Sequence, residues 1–222
     1  MFLVIPYEVR TLTQRSPWAN LAVIGLCILV FLGFYTNYLP ENLVPWLIFS
    51  SENWLGLITS SLMHASWGHL IGNMIFLWVF GNALCGVMNW ALYLALFFLL
   101  GGAADLIHLL IDGHPVLGAS GAISGLLGVF MALYPLNRVH SFYFIVFKFG
   151  LWDVPGWLLL TCWFILQFLS LWSGPEDIAY WAHIGGFVSG LGLGLLLSKL
   201  ELVDVGEYDN PSLLDILLRR SS

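Results

Sequence analysis

The chain alternates long apolar runs with short polar or proline-marked breaks. The runs cover residues 19–38, 68–88, 91–111, 120–134, 155–171 and 178–197. A helix rises 1.5 Å per residue, so about 20 apolar residues cross a ~30 Å hydrocarbon core. The pattern predicts six membrane-spanning helices in one all-α domain. The connection over residues 39–67 is also apolar, but Pro40, Glu41, Pro45 and Glu52 break it. Such a segment fits along the membrane interface better than across it. Residues 139–152 contain SFYFIVFKFGLW, with Lys148 inside. That stretch is short for a span and is expected to be interfacial too. After residue 198 the chain turns polar, and residues 211–215 read as a capped short helix. The expected organisation is an N-terminal segment over 1–18, a six-helix domain over 19–198 and an acidic tail over 199–222.

Composition supports lipid as the solvent. Hydrophobic residues make up 59% of the 222 and charged residues 9%, against about a quarter charged in a soluble domain. The net charge is -6; five of the acidic residues, Glu201, Asp204, Glu207, Asp209 and Asp215, lie in the tail, and no basic patch suggests nucleic acid. Cys27, Cys85 and Cys162 each lie inside an apolar run and read as small core residues. With six spans, one side of the membrane receives Arg10, Arg15, Arg138, Lys148, Lys199, Arg219 and Arg220, every Lys and Arg of the chain. The positive-inside rule then puts both termini in the cytoplasm.

This topology brings distant polar residues to one depth. His69 and Asn73 lie near the outer end of span two, Ser120 opens span four, and His183 lies one turn into span six. Their depths agree within about 10 Å, and His69 and Asn73, four apart, share a helix face. Polar side chains inside lipid are costly and by default functional. A serine hydroxyl needs a base to become a nucleophile, and histidine is suited to that task. Attack on a peptide carbonyl creates an oxyanion that needs donors. His69, Asn73 and the unpaired Ser120 N–H at the helix start qualify. Gly186, Gly190 and Gly194 make a small-residue stripe on span six that can pack on Gly121, Gly125 and Gly128 of span four.

At these residues the chain resembles the rhomboid family of intramembrane serine proteases. The family pattern is H-x4-H-x3-N on helix two, G-x-S-G opening helix four and H-x2-G-x3-G on helix six. Here it reads His64, His69 and Asn73, then Gly118, Ser120 and Gly121, then His183, Gly186 and Gly190. The resemblance implies a six-helix bundle with a Ser120–His183 dyad and an oxyanion site at His69, Asn73 and the Ser120 N–H. Gly118, Gly121, Gly125, Gly186 and Gly190 are then the packing glycines. It also implies that residues 39–67 form a half-submerged loop and that the 173–178 loop with span five forms a gate. Substrates would be membrane-anchored proteins cut near the outer face, in contact with membrane lipid, with no cofactor and no metal. Two positions depart from the pattern. Trp54 is followed by Leu55 where many relatives have arginine, and Ser124 stands where some place an aromatic to stack on the catalytic histidine.

Other readings are weaker. Ser124 lies one turn deeper than Ser120 and suits packing. Lys148 and Lys199 fall on the cytoplasmic side, which excludes a Ser–Lys pair. His64 and His69 lack the H-E-x-x-H spacing of a zinc site, and His64 is expected to hydrogen-bond the first loop. Asp105 and His108 read as a local polar pair. The rival function is a rhomboid-like protein that binds transmembrane helices without cutting them, but such proteins typically lose the Ser or His retained here. A transporter would place its polar site at the midplane between broken helices. The expected location is a bacterial cytoplasmic membrane.

Overall fold

The computed structural model describes residues 2–9, 15–145, 147–175, 178–203 and 210–218. Arg10, Glu176, Arg219 and Arg220, used in the charge and gate expectations, lie outside the described residues. Six apolar helices form a bundle: α1 (Trp18–Tyr35), α2 (Trp67–Val87), α3 (Trp90–Asp112), α4 (Ser120–Leu133), α5 (Gly156–Ser173) and α6 (Tyr180–Lys199). All but α4 are long and apolar enough to cross a membrane. The 14 residues of α4 make about 21 Å of helix, less than a ~30 Å hydrocarbon core. The loop leading into α4 is itself inside the bundle. Val116, Gly118 and Ala119 are buried, and Val116 pairs with Phe49 of the first loop.

Helix α4 is the centre. Every residue from Gly121 to Phe130 is buried, as expected of a helix apolar on all sides. Its closest neighbour is α6, and glycines set the approach. A Cβ on Gly190 would lie 1.9 Å from the Gly125 carbonyl oxygen, and one on Gly128 2.2 Å from that of Phe187. In contrast, α5 buries only Gly156 and Leu160. Cys162 projects outward from α5, contrary to its expected place in the core, whereas Cys27 and Cys85 are buried.

Helix α2 carries a π-turn over Leu77–Gly81. Such a turn frees backbone groups that lipid cannot satisfy, and Asn20 of α1 meets them. Its Nδ2 donates to the Leu77 carbonyl and to Asn82 Oδ1, both at 2.8 Å, while Tyr93 of α3 donates its hydroxyl to Asn20 Oδ1 at 2.5 Å.

The helical bundle is accompanied by a three-stranded antiparallel sheet that the apolar pattern did not announce. Strands β1 (Phe2–Val9), β2 (Arg138–Ile145) and β3 (Lys148–Pro155) pair in that order. The 139–152 segment is therefore a hairpin closed by residues 2–9. Pairing satisfies its backbone where an unpaired apolar loop would leave polar groups stranded. β1 touches α2, whereas β2 and β3 touch α5. In the tail, α7 (Leu213–Leu218) starts with the expected cap: the Asp215 N–H donates to Ser212 Oγ, and the Ser212 N–H to Asp215 Oδ2, both at 3.2 Å.

Candidate active site

Helix α2 begins after Ser66, whose hydroxyl accepts the His69 N–H at 3.2 Å. This cap sets the first turn, so His69 and Asn73 face the same way. The His69 ring lies against Gly118. A Cβ built on Gly118 would be 2.7 Å from His69 Nε2 and 3.7 Å from Ser120 Oγ. Gly118 also has φ +120°, which side-chain-bearing residues rarely adopt. It was expected among the helix-packing glycines, but it precedes α4 and packs on an imidazole instead. Asn73 is buried, and its Nδ2 has no partner among the described residues. It is a donor without an acceptor.

Ser120 opens α4, where the first N–H groups lack intrahelical acceptors. Its carbonyl accepts the Ser124 hydroxyl at 2.6 Å, so Ser124 is turned back onto its own helix. Helix α6 brings His183 alongside. A Cβ on Gly186 would be 2.4 Å from the Gly121 carbonyl oxygen, and one on Gly121 would be 3.8 Å from the Ala182 Cβ. Ala182 and Gly186 bracket His183 as Gly121 follows Ser120. The two candidate residues thus stand on facing helices at the level of one glycine contact.

The His183 ring has support that the sequence reading lacked. Its Nδ1 lies 2.8 Å from Gln167 Oε1 of α5. Trp163, one turn away on the same helix, and Tyr180 flank the ring at centroid distances of 6.3 and 6.2 Å. Ser124 cannot supply the stacking that an aromatic would, and these residues surround the imidazole from other directions. A polar residue inside an apolar span is itself a signal, and Gln167 carried it.

Asp105 is 1% exposed and accepts a hydrogen bond from the Ser60 hydroxyl at 2.5 Å. The Ser60 carbonyl in turn accepts the Gly118 N–H at 2.9 Å. Asp105 and His108 are therefore not the local pair expected; His108 instead faces Asp112 at 3.9 Å. Through Ser60, Asp105 ties α3 to the loop that delivers Ser120. His64, in the loop ahead of α2, packs edge-on against His69 with ring centroids 5.1 Å apart. The backbone of Leu62, in the first loop, is its hydrogen-bonding neighbour there. Burial, with the nearby His69 charge adding to it, pushes the His64 pKa down to about 4, and the ring is neutral at physiological pH.

A hydroxyl at a helix start and an imidazole thus meet at Gly118, with a buried amide donor one turn further along α2 and a second imidazole on the facing α6. That set is suited to acyl transfer. Residues 51–200 match the sequence model of the Rhomboid domain. The chain is 31% identical over 152 residues to the mitochondrial Rhomboid protein 1 of Saccharomyces cerevisiae, covering 65% of this chain and 42% of that protein. It is 35% identical over 130 residues to the chloroplastic Rhomboid-like protein 11 of Arabidopsis thaliana, covering 52% of this chain and 44% of that one. The matched region is thus less than half the length of either relative. Both relatives are organellar by name, which lends no support to a bacterial cytoplasmic membrane.

Proposed function

The chain belongs to the rhomboid family, and from that premise we propose that it is an intramembrane serine endopeptidase. Ser120 is the nucleophile and His183 the base. His183 Nε2 takes the hydroxyl proton as Ser120 Oγ attacks the scissile carbonyl, and the oxyanion is held by His69, Asn73 and the Ser120 N–H. The tetrahedral intermediate collapses as His183 returns the proton to the leaving amine, and water then releases the acyl group from Ser120 by the same route. Substrates are single-pass membrane proteins cut near the outer face, at a helix already destabilised. A carbonyl still bonded within its own helix is shielded from the nucleophile. Residues 19–198 are the protease domain, crossing six times with both termini cytoplasmic.

The observation that carries this reading is the Gly118 locus. The His69 ring and Ser120 Oγ both come within 4 Å of one point there, and Gly121, next to Ser120, packs on Ala182 and Gly186 to either side of His183. The test is cleavage of a model transmembrane substrate by purified protein and by Ser120→Ala. A fluorophosphonate probe is expected to label the wild type at Ser120, and Ser120→Ala to lose both labelling and cleavage. Specific binding of transmembrane helices with neither labelling nor cleavage, on folded protein, would favour a non-catalytic member of the family.

A further inference from the structure

We propose that Gln167 is a positioning residue for the base: it selects the His183 tautomer that can accept the Ser120 proton. The inference rests on the protease reading above. Gln167 Oε1, an acceptor, lies 2.8 Å from His183 Nδ1. A hydrogen bond there requires the proton on Nδ1, which leaves the Nε2 lone pair free. The neutral imidazole must choose one nitrogen for its proton, and in the opposite tautomer Nε2 carries the proton and cannot act as base.

The surroundings make Gln167 suited to this choice. Trp163 lies four residues before it on α5, so both face His183 from one helix surface. Tyr180 meets the ring edge-on from α6 itself. These rings restrict the imidazole plane, but the acceptor at Nδ1 is what distinguishes its two nitrogens. The titratable groups facing the imidazole from the packed helices are His69 of α2 and His108 of α3, with Tyr180 on its own helix. Among these described neighbours no carboxylate bonds to His183, so a neutral amide fills the place that an acid fills in many Ser–His enzymes. A neutral acceptor orients the ring without adding a buried charge inside the bundle.

The experiment compares wild type, Gln167→Leu and Gln167→Glu by kcat, KM and the pH profile of kcat on a model transmembrane substrate, with fluorophosphonate labelling in parallel. Gln167→Leu removes the acceptor and is expected to lower kcat about 10²-fold, within the 10²–10⁴ that a positioned base supplies, with KM little changed. Gln167→Glu keeps an acceptor and is expected to recover most of the plateau that Leu loses. Its carboxylate stabilises the imidazolium, so the acid limb moves to higher pH by about one to three units. A merely structural side chain would not move that limb. Wild-type kcat in the Leu variant, or an unmoved acid limb in the Glu variant, overturns the inference while Ser120 labelling in the wild type leaves the protease reading intact. Absence of labelling at Ser120 in folded wild type overturns both.

Discussion

Gly190→Ala is expected to injure activity more than its single methyl group suggests. The new Cβ would lie 1.9 Å from the Gly125 carbonyl oxygen, 2.6 Å from its carbon and 2.8 Å from its Cα. All three are backbone atoms, so no side chain can swing away. To open even the tightest tolerated contact, α4 and α6 must part by about 1 Å. Overpacking of this kind costs about 1–3 kcal/mol. A displacement of about 1 Å between a nucleophile and its base can cost on the order of 10²-fold in rate. Gly192→Ala is the control, because a Cβ there meets nothing within 4 Å, and alanine favours a helix by up to about 1 kcal/mol. Thermal unfolding in detergent micelles and turnover of a model transmembrane substrate would be measured for both variants. Wild-type turnover in Gly190→Ala would refute the argument that this contact sets the Ser120–His183 geometry. So would an equal loss in Gly192→Ala.

Asn73→Ala and His69→Ala are each expected to lower kcat by about 10²–10³-fold with the fold intact, the usual cost of one oxyanion donor; a silent Asn73→Ala in a quantitative assay would remove it from the site. Asn20→Leu strands the Leu77 carbonyl, the Asn82 side chain and the Tyr93 hydroxyl, and is expected to cost about 1–3 kcal/mol in thermal unfolding. Its turnover at low temperature should stay at the wild-type level, since the network lies around the α2 π-turn, away from Ser120. For the six-span topology, cysteines at Glu52 and His114 in a background lacking Cys27, Cys85 and Cys162 are expected to react with an impermeant maleimide in intact cells. Cysteines at Arg138 and Asn210 are expected to react only after permeabilisation; labelling of Asn210 from outside would demand an odd number of spans.

The helices were legible to within three residues at each end, because lipid imposes a length on the five long apolar runs and Gly118-x-Ser120 and Pro135 mark the ends of the shorter α4. The same logic marked out the candidate site. Once spans are counted, depth follows from position, and His69, Asn73, Ser120 and His183 fall at one level without any contact being known. Glycines repeating every four residues on α6 announced a close neighbour, because on a helix that spacing makes one flat face. The sheet was hidden for the opposite reason. Nearly every residue of SFYFIVFKFGLW is apolar, so no alternation distinguishes the two faces of a strand. Its partner, β1, pairs with it across 130 to 143 residues of chain.

Side-chain partners across the bundle were the other hidden layer. Asp105 was paired with its local neighbour His108, yet its partner Ser60 comes from a loop 45 residues earlier. Helical spacing identifies which residues share a face but says nothing of what faces them. Gln167 shows what that layer contributes. On sequence, His183 lacked the aromatic support that position 124 would have given, and the deficit looked like a weakness of the site. In the fold, the support comes from α5, the long span that buries least of itself. The imidazole is thereby held by the helix with the weakest hold on the rest of the bundle. An outward movement of α5 would take Gln167 and Trp163 with it and release the His183 ring. A disulfide joining α5 to α6 at lipid-facing positions should therefore leave the Nδ1 bond intact and preserve labelling of Ser120 by a small fluorophosphonate. If α5 must also move to admit a transmembrane substrate, the same cross-link should suppress cleavage, and reduction should restore it. Equal loss of labelling and cleavage would show that the cross-link distorts the site itself, and equal retention would show that α5 need not move.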